Sequence, residues 1–209
     1  MRAKQQLWVL LLTFLVLTCG LLAAQDDAAL IREDHVAMEF VGQVINSGAS
    51  SNQFGYLSNI EGLDPNSIFS SATQNETTAK FTFFTEATTV RVVSSGPLRI
   101  VNRVGTTTIY FNTSPAGDFN NPGSFQLGTP IQVSKYRQQV VFNTITSSFT
   151  TVHTNRITSN TPFSLRGHTR RLGAVGLSFR TSYFGYIDPA GGTPSGWFGG
   201  YATGVDRED

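Results

Sequence analysis

Few residues in this chain have the chemistry to move a proton. Glu86 follows the run Lys-Phe-Thr-Phe-Phe-Thr (80–85), in a segment that reads as a β-strand. A carboxyl partly buried there would have its pKa raised by desolvation, as a proton-transfer group requires. The competing arrangement leaves Glu86 in water, ending its strand at the Glu-Ala-Thr-Thr turn (86–89). His153 shares a strand face with Phe149 and Thr151 and is a candidate acid–base or ligand-orienting group, against the plainer role of a half-exposed cross-strand partner. With Tyr56, these two make the candidate catalytic set of an enzyme that rearranges a reactive substrate without a cofactor.

Other constellations are excluded by type or spacing. The histidines are His35, His153 and His168, far apart and on different elements, so no metal site is expected. There is no nucleophile elbow, phosphate loop, dinucleotide-binding glycine pattern or HExxH motif, and no cofactor is expected. Arg166, His168, Arg170 and Arg171 form a local basic cluster that suits either an anionic head group or a solvated loop. Apolar pockets need a few polar anchors among aromatic walls, which makes Phe84, Gln138, Phe142, Arg180 and Trp197 the candidate ligand-contacting residues.

The elements that must position these groups are strands. Ala79–Phe111 is dense in Phe, Val, Ile, Tyr and Thr and is punctuated by Ser-Ser-Gly-Pro (94–97) and Val-Gly-Thr (104–106), which predicts strands near 79–86, 89–95, 98–103 and 106–112. Before it, 36–46 alternates with Val36, Met38, Phe40 and Val44 on one face, and 53–60 carries Phe54, Tyr56 and Ile60 around Gly55, a sign of a bulge or a close backbone approach. After it come strands at 130–133, 136–145, 149–157, 172–187 and 196–203, with 163–171 as a hairpin tip or loop. Two polar interruptions, 61–78 and 114–128, are long enough to be functional loops or plain connections; Leu63, Ile68 and Phe69 would pin the first onto the core.

Nine or ten strands with no convincing helix predict an all-β fold: an antiparallel closed or nearly closed barrel of roughly eight to ten strands, with a β-sandwich as the alternative. The barrel is preferred because polar residues sit among aromatics on faces expected to point inward: Thr82 and Glu86 beside Phe84, Gln138 beside Phe142, His153 beside Phe149. A cavity can accommodate such groups where a sandwich core tolerates few.

Arg2 and Lys4, the apolar run Leu7–Leu17 and the small residues before Gln25 predict a signal peptide over 1–24, then an arm over 25–35, one barrel domain over 36–204 and a charged tail over 205–209. Cys19 would leave with the leader, so the secreted or periplasmic chain would hold no disulfide and depend on its packed core. It would carry 13 basic and 14 acidic residues and no membrane-spanning segment, and a net charge of −1 supplies no field to attract nucleic acid. An outer-membrane barrel fits less well, since the chain ends in Asp-Arg-Glu-Asp and shows no clean lipid-facing band. Asn75-Glu76-Thr77 and Asn112-Thr113-Ser114 are glycosylation sequons at predicted loops or strand ends.

In architecture alone the expected barrel resembles the small secreted barrels of the calycin and of the dirigent and allene-oxide-cyclase kind. The Gly-x-Trp signature of lipocalins is not present near the first strand, and no motif of these groups carries over residue by residue. The leading functional expectation is a protein that binds a small apolar or amphipathic ligand in an aromatic-lined cavity. The alternatives are a cofactor-free cyclase or isomerase and a structural or adhesive surface protein.

Overall fold

The computed structural model describes residues 27–29, 36–188, 190 and 192–205; the expected leader, Cys19, His35 and residues 206–209 of the charged tail lie outside the described residues. The strands are β1 (Asp27–Ala29), β2 (Val36–Ser47), β3 (Ser50–Ile60), β4 (Phe81–Ser95), β5 (Leu98–Phe111), β6 (Thr129–Asn143), β7 (Ser148–Asn160), β8 (Phe163–Leu165), β9 (His168–Leu172), β10 (Ser178–Ile187) and β11 (Gly196–Val205). Eight of them form a closed antiparallel barrel in the order β10-β11-β2-β3-β4-β5-β6-β7, closed by β10 pairing with β7. Closure leaves no edge strand in the barrel and sets the sandwich alternative aside.

Several barrel strands are longer than the sequence pattern implied, whereas the one expected over 172–187 spans only Ser178–Ile187 as β10. The 79–112 region forms one hairpin of two strands, not four short ones. Pairing runs unbroken through the breaks expected at 86–89 and 104–106, with Glu86 opposite Thr106, Ala87 opposite Gly105 and Thr88 opposite Val104, before a bulge between Thr89 and Arg91. The turn expected at Ser-Ser-Gly-Pro is present at Gly96-Pro97, where Gly96 takes φ +56°, a conformation that carries no steric penalty for glycine. The segments 130–133 and 136–145 likewise fuse into β6, while the basic stretch 163–171 is the β8–β9 hairpin.

One end of the barrel is packed solid. Phe81, Phe111 and Phe163 meet with ring centroids 5.0–5.3 Å apart, and Leu165, Leu172, Ile131 and Ile157 are buried around them. Leu63, Ile68 and Phe69 are buried there too, as the sequence predicts, carried by a single helical turn α1 (Pro65–Ile68) that Asp64 caps through the Asn66 amide. The β8–β9 hairpin closes this end and is tied down by polar side chains: Gln132 Nε2 donates to the Leu172 carbonyl (2.6 Å), and Asn160 Nδ2 donates to the Leu172 and Gly173 carbonyls (2.7 Å each). β1 runs parallel to β9 on this small sheet, Asp27 opposite Arg170.

A second apolar layer lies outside the barrel. Residues 112–128 fold over the outer faces of β3 and β4, stacking Phe125 and Phe119 on Phe54, with Phe84 and Tyr110 alongside. This corrects the inward placement expected of Thr82, Phe84 and Glu86. Phe81 and Phe83 point inward, so the alternating Thr82, Phe84 and Glu86 point outward, and the Thr82 hydroxyl donates to the Phe125 carbonyl at 2.8 Å. Phe84 is buried only because a loop covers it, a circumstance that strand periodicity alone does not encode.

Gly55 marks a close approach, one of the two readings its place in β3 suggested. It faces Gly42 across the β2–β3 ladder, and a Cβ there would fall 2.0 Å from the Val41 carbonyl oxygen. Gly55→Ala is therefore expected to cost more than about 2 kcal/mol in urea unfolding. Gly199→Ala, whose Cβ would find no atom nearer than 3.7 Å, should stay within about 0.5 kcal/mol of wild type.

Candidate functional site

The end of the barrel away from the Phe81 cluster holds a cavity of about 600 Å³, open beside the β2–β3 turn and lined by residues of all eight barrel strands. Much of its wall is apolar: Val44 and Val101 from β2 and β5, Val140 and Phe142 from β6, Phe149 from β7 and Phe198 from β11. These positions fall on alternate residues of their strands, so the pleat aims them inward.

Its floor is a hydrogen-bonded ring. The Tyr183 hydroxyl donates to Gln53 Oε1 (2.7 Å) and accepts from Gln138 Nε2 (2.8 Å), while Gln53 Nε2 donates to Gln138 Oε1 at 3.4 Å. The hydroxyl has one proton, already given to Gln53, so His153 Nε2, 3.1 Å away, carries a proton and donates it. The Tyr136 ring stacks on the His153 imidazole, centroids 4.4 Å apart and planes 4° from parallel. Gly105 makes room for it: a Cβ on Gly105 would sit 2.8 Å from the Tyr136 hydroxyl, which explains a glycine that looked like turn punctuation in the sequence.

Below this ring is a small void of about 50 Å³, lined by His153, Asn155, Thr85, Thr107 and Thr181 among others. Gln53, Tyr183 and Phe198 line both spaces and so form the partition between them. His153 lies under that partition and is not among the residues lining the open cavity.

Burial sets the protonation states. Desolvation, reinforced by the nearby Arg103 charge, pushes the His153 imidazole down to about 3, and desolvation raises the Tyr183 and Tyr136 phenols. The floor is therefore neutral around pH 7. The charged side chains among the described lining residues are Arg99 and Arg103, both from β5, and no carboxylate stands among those lining residues. Arg103 donates from Nη2 to Asn46 Oδ1 (3.0 Å) and from Nε to Thr89 Oγ1 (3.2 Å), both neutral acceptors, and desolvation lowers its pKa.

The sequence candidates divide into three groups. Gln138 and Phe142 line the cavity, and His153 is inside the barrel but beneath the floor. Phe84, Tyr56 and Trp197 belong to the outer aromatic layer, with Trp197 4.8 Å and Tyr56 6.4 Å from Phe119 by ring centroids. Glu86 and Arg180 are exposed on the outer wall. Of the basic cluster, Arg166 pairs with Asp64 at 2.9 Å on the surface of the closed end. No sequence motif marks Gln53, Tyr183, Arg99 or Arg103 as a site residue. The signal for the arginines was present, since Arg99, Val101 and Arg103 alternate onto one face, but a turn expected at 104–106 hid the register that aims them inward.

Among the described residues no group of three or more His, Cys, Asp or Glu side chains could hold a metal, and no helix is long and apolar enough to cross a membrane. Comparison of the chain with family models, curated proteins and solved structures returned no match.

The neutral buried His153 gives a signed pH dependence. Its folded pKa lies below the ordinary 6.5, so between those two values the unfolded chain takes up a proton that the folded chain does not. Stability should fall as pH drops from about 6.5 toward 3, by up to ~1.4 kcal/mol per pH unit from this group. Gln at this position keeps an N–H toward Tyr183 without titrating, so urea unfolding of His153→Gln should show a slope against pH flatter by about one proton. Superimposable slopes would rule this assignment out.

Proposed function

We propose that this protein binds a small apolar or amphipathic molecule inside its barrel. The observation that carries this reading is the cavity of about 600 Å³, aromatic and aliphatic on its walls and open at one end. Its size falls within the roughly 300–1,000 Å³ of small-molecule pockets, which are mostly apolar with a few placed polar groups. A barrel serving only as a structural or adhesive element would gain packing energy by filling this space, as the other end does with Phe81, Phe111 and Phe163.

The catalytic alternative draws less support from the same geometry. Glu86 and Tyr56 stand outside the barrel, and His153 is beneath the floor with an imidazole too weakly basic to take protons near neutrality. The basic, apolar and small-residue order of positions 1–24 supports a secreted setting for this binding.

The test is titration with N-phenyl-1-naphthylamine, a neutral dye that fluoresces in apolar surroundings. The expected outcome is saturable binding of one dye per chain, lost in Val101→Trp, which fills the cavity from β5. Trp197→Ala, on the outer layer, should retain dye binding while losing about 2–4 kcal/mol of stability. No saturable binding by wild type, or binding indifferent to Val101→Trp, would refute the proposal.

A further inference from the structure

The cavity wall is asymmetric in charge, and that asymmetry bears on what enters it. Arg99 and Arg103 are four residues apart on β5 and point the same way, Arg99 opposite Phe142 and Arg103 opposite Gln138 on β6. Arg103 lies deeper, just above the polar floor, and Arg99 is exposed at the rim. The aromatic lining comes from other strands, with Phe142, Phe149, Tyr183 and Phe198 on β6, β7, β10 and β11.

A guanidinium has five N–H donors, and Arg103 gives two of them to the neutral oxygens of Asn46 and Thr89. A cation drawn this far out of water is normally offset by a carboxylate. None lines the cavity among the described residues, and the described Asp64–Arg166 ion pair is on the outer surface of the closed end. Asn46 and Thr89 instead hold the guanidinium in place without neutralising it. That is how a site for an oxyanion is prepared, since Arg matches carboxylate and phosphate oxygens with parallel hydrogen bonds.

We infer that the cavity takes an anionic amphiphile, a small molecule whose carboxylate or phosphate meets Arg103 and Arg99 while its apolar part lies against Phe142, Phe149 and Phe198. This inference rests on the ligand-binding reading above and names the class of ligand. The neutral floor contributes by offering no competing negative charge. Tyr183 and Gln138 end the apolar space with fixed dipoles, so the arginines are the only full charges that the described lining offers to a guest.

Three ligands of one chain length test it on the full chain by calorimetry or by displacement of the neutral dye: decanoate, monodecyl phosphate and decanol. At least one anion should bind wild type about 10- to 100-fold more tightly than decanol, the range of a charge-assisted hydrogen-bond pair. The tighter of the two anions identifies the head group. The preference should vanish in Arg103→Gln and shrink in Arg99→Gln, with anion affinity falling much further than decanol affinity in both. Arg99 is at the exposed rim, so Arg99→Gln with the wild-type comparison decides the matter if Arg103→Gln does not fold. Equal binding of decanol and both anions, or an anion preference that survives both substitutions, overturns the inference while leaving the cavity proposal standing. Failure of decanol, both anions and the dye to bind overturns both.

Discussion

The Tyr183 hydroxyl is the group on which the interior of this barrel depends. It joins four strands at one point, bonding Gln53 of β3, Gln138 of β6 and His153 of β7 from its own place on β10. Each bond alone contributes about 1 kcal/mol, but removing the hydroxyl would strand three buried polar partners at about 1–3 kcal/mol each. The ring therefore specifies register, because a one-residue slip of any of the four strands would turn its member out of the barrel. It also divides the interior, separating the large cavity from a small void beneath it.

The two ends of the barrel illustrate opposite uses of aromatic residues. At the closed end three phenylalanines pack ring against ring beneath the β8–β9 hairpin. At the open end Phe149 and Phe198 pack around Tyr183 but leave the centre clear. A third set lies outside the wall, Phe54 and Phe84 on the strands and Phe119 and Phe125 in the segment 112–128 that covers them. This outer layer lets β3 and β4 be apolar on both faces, and it accounts for a phenylalanine content larger than one barrel core would need.

That distribution explains what the sequence did and did not disclose. The all-β class, the barrel, the hairpin at Ser-Ser-Gly-Pro and the inward face shared by Tyr136, Gln138, Val140 and Phe142 follow from period-two alternation, which is strong when one face meets water. In β4 the signal failed because Phe81, Phe83 and Phe84 are buried on opposite faces, so alternation could not tell inside from outside and Glu86 was aimed the wrong way. Gly105 looked like a turn because glycine so often is one; it is instead the gap that Tyr136 fills. The pairing of Gln53 with Gln138 and Tyr183 spans up to 130 residues, and no local pattern carries such a contact.

The central claim is that a guest enters above the Tyr183 ring and stays there. Methyl-resolved NMR of the protein titrated with decanol examines this directly. Val44, Val101 and Val140 line the open cavity, whereas Leu57 and Ile109 line the void below the floor. The account predicts large shifts for the first three methyl groups and little change for the other two. Shifts confined to the outer wall, or shared equally by Ile109 and Leu57, would contradict it.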